Sequence, residues 1–248
     1  MIGGTKDNYG GGILIKDTKN LNFFQNVTFK NLNGNIDFIP EGYLIFGAIN
    51  FFNSKVNFDN FNVRNITSED AINFVNSEIH LRNGLFDNIE SDAIDVDNGS
   101  GKIEKIKILN VSNDGLDFSE SNLNVSEVIF DNIGDKSISV GENSVVSIEG
   151  INISNSYLGI VSKDGSKVTG QNIKNFNVTI PYASYVKKKE YTQPVLNIVN
   201  GNEENFERLY LKDNLANIMI NKKRKNKITG DVIGLIYDPS KKIQWTRI

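Results

Sequence analysis

Three six-residue segments decide the fold: DAINFV at 70–75, DAIDVD at 92–97 and DGLDFS at 114–119, each 22 residues after the one before. In each segment the third and fifth residues are apolar and the fourth is polar, which is the alternation of a β-strand with one buried face. The same interval continues through Ile138 and Ile160. A repeat of this length predicts a solenoid, in which no turn could bury its apolar face alone.

Each repeat contains two further short strands. The second strand begins with apolar pairs such as Val56 with Phe58 and Leu123 with Val125, and the third ends at a recurring asparagine: Asn65, Asn88, Asn110, Asn132, Asn155 and Asn175. Three strands in 22 residues leave no room for a helix, so we expect a coil whose turns lie beside one another at about 4.8 Å. The asparagines should then stack in a ladder of buried amides that bond to the backbone or to the next turn.

Composition excludes several classes of chemistry. The chain has 248 residues, a formal charge of -3, no cysteine and one histidine, so disulfides, thiolate sites and multi-histidine metal sites are ruled out. No apolar run reaches the roughly 18 residues that a membrane span requires, so no membrane insertion is expected. The basic run at 222–227 is short and the overall charge is negative, so no nucleic-acid partner is expected.

The repeat resembles the right-handed parallel β-helix of the pectate-lyase-like superfamily over about residues 10 to 200. This resemblance implies an all-β fold with three parallel sheets, about 22 residues per coil and an Asn ladder. We therefore assign residues 1–200 to a single-stranded β-helix domain, with an insertion near 36–44. Residues 201–248 form a C-terminal capping segment, in which 205–220 has a weak helical pattern.

The densest outward carboxylates lie in two neighbouring coils. The 22-residue offset places Asp114 beside Asp92, and Asp117 beside Asp95. Stacked carboxylates about 5 Å apart repel, raise a pKa or bind a cation, so these four residues are the candidate calcium ligands. The resemblance supports this, because β-helix pectate lyases hold Ca²⁺ with carboxylates. The alternative is a solvated edge without a cofactor, on which Lys136 neutralises Asp114.

A second resemblance concerns the polygalacturonase family of hydrolases. Residues 112–115 (SNDG) followed by Gly134 and Asp135 are similar to that family's Asn-Thr-Asp and Gly-Asp-Asp segments. The resemblance maps a retained acid onto Asp114 and one of the paired acids onto Asp135. Lys136 replaces the second aspartate, and Leu158 with Gly159 replaces a histidine segment, so part of the hydrolytic set is missing. The candidate catalytic residues are Asp114, Asp117, Asp135 and Lys136.

A lyase needs a base for the proton beside a uronate carboxylate, and a cation to stabilise the enolate. Lysines near tyrosines suit this chemistry, so the candidate substrate-binding residues are Lys163, Tyr185 and Lys187. Sugar-stacking platforms would come from Phe52, Tyr157, Tyr182 and Tyr185. The alternative for each lysine is a solvated surface charge.

These patterns predict a carbohydrate-associated β-helix protein that binds or processes an anionic polysaccharide, as a lyase or an epimerase. The alternative is a non-catalytic structural, cell-surface or assembly module. Residues 1–9 lack the basic start and apolar stretch of a secretion signal. We expect an extracellular or cell-surface location if the chain is a trimmed piece of a longer protein, and otherwise a cytoplasmic one. The oligomeric state is not predicted.

Overall fold

The computed structural model describes residues 1–35 and 43–237. This part of the chain is a parallel β-solenoid, so the predicted all-β coil is confirmed. The elements are β1 (Ile2–Gly3), β2 (Ile13–Lys16), β3 (Leu21–Leu32), β4 (Gly47–Phe52), β5 (Lys55–Ile66), β6 (Asp70–Val75), β7 (Glu78–Ile89), β8 (Asp92–Asp97), β9 (Ser100–Val111), β10 (Leu116–Ser119), β11 (Asn122–Ser126), β12 (Ile129–Gly141), β13 (Val145–Lys163), β14 (Lys167–Tyr185), β15 (Val195–Glu204), β16 (Tyr210–Lys212), β17 (Asn217–Ile220), β18 (Lys223–Lys225) and helix α1 (Val232–Ile236).

The coil has three parallel sheets, of which sheet 1 carries the candidate site. Sheet 1 consists of β2, β4, β6, β8, β10, the C-terminal parts of β12, β13 and β14, and β16. Its register pairs Ile72 with Ile94, Ile94 with Leu116, and Leu116 with Ile138. Residues 22 apart in sequence are therefore neighbours in space, and a side chain's direction repeats from coil to coil.

The inward side chains form one continuous column. Ile72, Ile94 and Leu116 are fully buried in the same apolar cluster. Phe51 and Phe74 stack with ring centroids 5.2 Å apart and an interplanar angle of 12°. Each turn thus covers the apolar face of the turn before it, and this shared burial stabilises the coil.

The Asn ladder is present, but most of it lies on the outer side of the bend, so its predicted burial is wrong. Asn65 donates to Asn31 Oδ1 (2.9 Å), and Asn88 donates to Asn65 Oδ1 (2.8 Å). The ladder residues adopt positive φ, which Asn tolerates better than most residues and which turns the chain through the bend. Asn175 is not a member: it points into the core and donates to the Tyr182 hydroxyl, and Asn177 holds the ladder position.

Because Asn110 is exposed with φ of 55°, its backbone conformation dominates the effect of a substitution. Asn110→Ala should destabilise the fold by about 1 kcal/mol, since alanine lacks the short polar side chain that lets asparagine tolerate the left-handed region. Asn110→Gly should cost less, because glycine adopts this region freely. Chemical denaturation of the two variants measures the difference. Equal losses would contradict a backbone origin and favour the lost amide bonds.

The predicted helical pattern over 205–220 is wrong. The coil continues through β16 and β17, so the proposed boundary at residue 200 falls inside β15. The basic run begins at a tight turn with Asn221 and Lys222 at positive φ, and then forms β18, which is antiparallel to β17. A charged strand at the end of a stack discourages pairing with another chain. The proposed insertion at 36–44 lies mostly outside the described residues.

Helix α1 lies over the outward face of sheet 1. Val232 and Ile236 are buried in a second apolar cluster, separate from the core column. Its sheet side consists of outward residues from the last coils: Leu158, Val161, Ile180, Ala183 and Leu211. None of the helical structure in the described ranges has the length and apolar character needed to cross a lipid bilayer.

Candidate active site

The outward face of sheet 1 changes character along the solenoid. Its last coils are apolar and lie under α1, whereas β6, β8 and β10 carry polar side chains. In the polar part, four carboxylates remain partly exposed: Asp92, Asp95, Asp97 and Asp117. We call these four residues the acidic window. Their shared location follows from the 22-residue repeat, which pairs Asp117 with Asp95 in the sheet register.

Asp92 and Asp117 approach each other but have different partners. One oxygen from each of Asp92, Asp114 and Asp117 lies within 4.8 Å of the others. Asp92 Oδ1 accepts hydrogen bonds from Asn113 Nδ2 (2.6 Å) and from the Asp114 backbone N–H (2.8 Å). Asp117 Oδ1 lies 3.8 Å from Lys163 Nζ. One carboxyl group is therefore held by hydrogen-bond donors and the other by an ion pair.

Burial and mutual repulsion raise the pKa values of the crowded carboxyls. Burial, with the Asp114 charge second, raises the pKa of Asp92 to about 8. Burial and the nearby Glu69 raise the pKa of Asp70 to about 7. The pKa values of Asp95 and Asp97 are also raised, in both cases mainly by burial. Asp92 therefore retains its proton at neutral pH, and the other crowded carboxyls are held in the protonated form to a higher pH than a free aspartate.

A buried ionic triad lies beside the window. Lys136 Nζ donates to Asp135 Oδ2 (2.8 Å) and to both oxygens of Asp114 (3.3 Å), and all three side chains are at most 4% exposed. Burial acts to lower the pKa of Lys136, but the two carboxylates outweigh it and the pKa is raised. Burial raises the pKa of Asp114 to about 6 against the opposing charge of Lys136. The predicted solvated edge at Asp114 and Lys136 is therefore wrong.

Tyr237, which directly follows α1, packs over Lys136 of the ionic triad. Its ring centroid lies 5.5 Å from Lys136 Nζ and 4.7 Å from Lys187 Nζ. Its hydroxyl is 3.0 Å from the hydroxyl of Tyr185, which is fully buried. Sequence reasoning missed Tyr237, because nothing in the repeat shows which segment returns to this face.

The structure gathers most of the predicted site residues around the window. Asp92, Asp95 and Asp117 belong to it, Lys163 borders it, and Asp114, Asp135 and Lys136 lie beneath its edge. Asp70 was missed, although it stands 22 residues before Asp92. The prediction of exposed aromatic side chains for sugar stacking is wrong. All four candidates are buried: Phe52, Tyr157, Tyr182 and Tyr185.

The raised pKa of Asp70 predicts a pH-dependent stability. An unfolded aspartate ionises near pH 4, whereas folded Asp70 ionises near 7. Between these values the folded state holds a proton that the unfolded state lacks, so stability falls as the pH rises from about 4 to about 7. At pH 8, Asp70→Asn should be more stable than wild type by about 1–3 kcal/mol, and near pH 4 by almost nothing.

Denaturation at several pH values, with a chelator present, measures this difference. Asp7→Asn is the matched control, because Asp7 is exposed in the N-terminal loop. A difference between Asp70→Asn and wild type that stays constant with pH would contradict the assignment.

The described part of the chain is thus a parallel β-solenoid with the acidic window on the outward face of sheet 1. The solved structures that resemble it include the following two. The catalytic domain of a GH87 α-1,3-glucanase in complex with nigerose aligns with a TM-score of 0.45 and 10% identity, covering 84% of this chain and 55% of that one. A tailspike protein mutant of E. coli bacteriophage HK620 in complex with a pentasaccharide aligns at 0.37 and 8%, covering 88% and 42%. No protein-family model matches the chain, and no curated protein sequence does.

Proposed function

We propose that the chain binds a polysaccharide at the acidic window and cleaves it with Asp92 as the acid and Asp117 as the reacting carboxylate. One observation carries the proposal: these two carboxyl groups approach within 4.8 Å, remain partly exposed and have different partners. Pairs of titratable groups in contrasting environments are how a protein separates an acid from a base.

The roles follow from the surroundings of each group. Asp92, with a pKa of about 8, retains its proton at neutral pH and can protonate the glycosidic oxygen of the leaving sugar. Asp117, ion-paired with Lys163, supplies the carboxylate. Inverting glycosidases separate their two carboxyls by about 6.5–9.5 Å to admit a water, and retaining ones by about 5–5.5 Å. An approach of the nearest oxygens to within 4.8 Å leaves little room for a water between the groups, which favours attack by Asp117 on the sugar over deprotonation of a water.

The lyase and epimerase versions of the proposal need a different base from the one the sequence suggested. Lys136 is buried among two carboxylates and its raised pKa keeps it protonated. Burial opposes the charge of Lys163, but Asp117 outweighs it and the pKa is raised as well. In the lyase and epimerase versions, Asp117 accepts the proton from the carbon beside the uronate carboxylate, and Lys163 forms an ion pair with that carboxylate.

An anionic polymer would meet four carboxylates here, so its binding favours a bridging cation. As an alternative to the acid role of Asp92, which a calcium ligand cannot combine with a retained proton, we propose calcium as that cation, held by Asp92, Asp114 and Asp117, with Asp95 beside them. The donor set fits in kind, because Ca²⁺ prefers carboxylate oxygens. Asp117 Oδ1 is also buried without a hydrogen-bond partner among the described residues. When bound, the ion would neutralise the window and attract a uronate.

Calcium addition tests this second proposal. Titration calorimetry should show binding, and Ca²⁺ should raise the melting temperature of wild type by several degrees relative to chelator. Asp92→Asn should lose most of this shift, whereas Glu78→Gln, an acid-to-amide change on the exposed face of β7, should keep it. An unchanged melting temperature with wild type would reject the calcium site.

A polymer panel tests the main proposal. Polygalacturonate, a neutral β-linked glucan and polyglucosamine are each incubated with the protein, and new reducing ends are measured together with the ultraviolet absorbance of unsaturated ends. Reducing ends alone indicate hydrolysis, and added absorbance indicates elimination. Binding without either product would favour the non-catalytic module, and neither binding nor turnover on any polymer would reject the proposal.

A further inference from the structure

We infer that the polysaccharide crosses the coils, lying along strands β8 and β10 rather than along the axis of the solenoid. This inference rests on the proposed function, and concerns the direction in which the bound polymer leaves the acidic window. The exposed part of the outward face of sheet 1 carries the argument.

The axial path towards the C-terminus is closed. One coil beyond Asp117, Lys136 is 4% exposed beneath Tyr237. In the following coils the outward side chains are apolar and covered by α1, as with Leu158 and Val161. A polymer following the axis in this direction would meet the helix directly after the window.

On the axial path towards the N-terminus, the described polar side chains nearest to the window are buried. Asp70 and Asn73, one coil before the window, are at most 3% exposed, and Asn50 in the preceding coil is fully buried. The Asn50 amide is satisfied by its own strand: its Oδ1 accepts from the Gly47 N–H (2.9 Å), and its Nδ2 donates to Gly47 O (2.6 Å). These groups are therefore hidden from a sugar lying over β4 and β6.

The path along the strands is open at both ends. Glu90 and Ser112 are exposed just before β8 and β10, and Asn98 and Glu120 are exposed at the bend that follows these strands. The window itself is two coils wide, about 10 Å at the usual strand spacing, whereas a six-residue strand runs for about 20 Å. The longer dimension of the exposed area is thus parallel to the strands.

Two tryptophan variants distinguish the directions. Ser112→Trp places a large ring at one end of the strand path. Lys16→Trp is the matched control, because Lys16 is exposed on β2 in the same outward row as Asp97, on the axial path. The probes are a trimer and a hexamer of the panel polymer that wild type binds, and melting temperatures verify that both variants fold.

For wild type, the hexamer should bind more tightly than the trimer. Ser112→Trp should weaken hexamer binding by about tenfold, and Lys16→Trp should leave it unchanged. Weakening by Lys16→Trp, or no weakening by Ser112→Trp, overturns the inference while the proposed function stands. If wild type binds none of the three polymers, the proposed function fails and the inference with it.

Discussion

Replacing Lys136 with methionine should destabilise the fold by about 3–5 kcal/mol, because it leaves two buried carboxylates without their cation. Lys136 Nζ contacts both Asp114 and Asp135, and all three side chains are nearly inaccessible to water. Methionine has a similar length and fills the space, so the effect reports the charge rather than a cavity. Urea denaturation at pH 7 measures the loss.

Two further variants separate the charge effect from a general intolerance of the position. Lys163→Met removes a looser ion pair, 3.8 Å from a partly exposed Asp117, so it should cost less. The triple variant Asp114→Asn, Asp135→Asn, Lys136→Met contains no buried charge at these positions and should recover much of the loss. A Lys136→Met variant within about 1 kcal/mol of wild type would show that water reaches the triad.

The repeat interval predicted the fold because packing repeats with it. Ile72, Ile94 and Leu116 must share one buried column. The residues that alternate with them along each strand must therefore share the outward face of the sheet. The meeting of Asp92 with Asp114, and of Asp95 with Asp117, follows from the same constraint. This much of the site needs only local periodicity, which a single sequence displays.

The burial of the site could not be predicted in the same way. Asp114 and Lys136 become inaccessible beside Tyr237, which is about 100 residues away in sequence and outside the repeat. Long-range coverage of this kind leaves no periodic signal. The Asn ladder failed for a different reason: periodicity located the bends, but the outward direction of the amides depends on the positive φ that turns each bend.

The stacking that builds the solenoid also creates the chemistry proposed for the window. Parallel register holds equivalent side chains about 4.8 Å apart, so a repeated aspartate becomes a like-charge neighbour. Lys136 occupies the position one coil after Asp114, and its charge relieves the repulsion between the stacked carboxylates. Asp114 therefore has a structural role. At Asp92, where no lysine follows, burial and then the charge of Asp114 raise the pKa to about 8, and a proton is retained. One repeat position thus supplies both a fixed ion pair and a candidate acid.

Asp117→Asn should lower kcat on the cleaved polymer by about 10²–10⁴-fold with little change in binding, because the amide cannot supply a carboxylate to the reaction. Asp92→Asn should lower kcat over the same range and remove the limb of the pH–rate profile that reports the acid. Glu78→Gln, the acid-to-amide control on the exposed face of β7, should keep the wild-type rate. Initial rates on polymer and melting temperatures measure these effects.

Chemical rescue identifies the role of Asp117. If Asp117 attacks the sugar, sodium azide should restore turnover to Asp117→Ala and yield a glycosyl azide whose anomeric configuration is opposite to that of the substrate, since azide then replaces the missing carboxylate in a single, inverting displacement. If Asp117 is instead a base for elimination, azide should yield no adduct, and wild type should produce unsaturated ends. An Asp117→Asn variant with more than half of the wild-type rate would exclude both roles and leave the window as a binding surface.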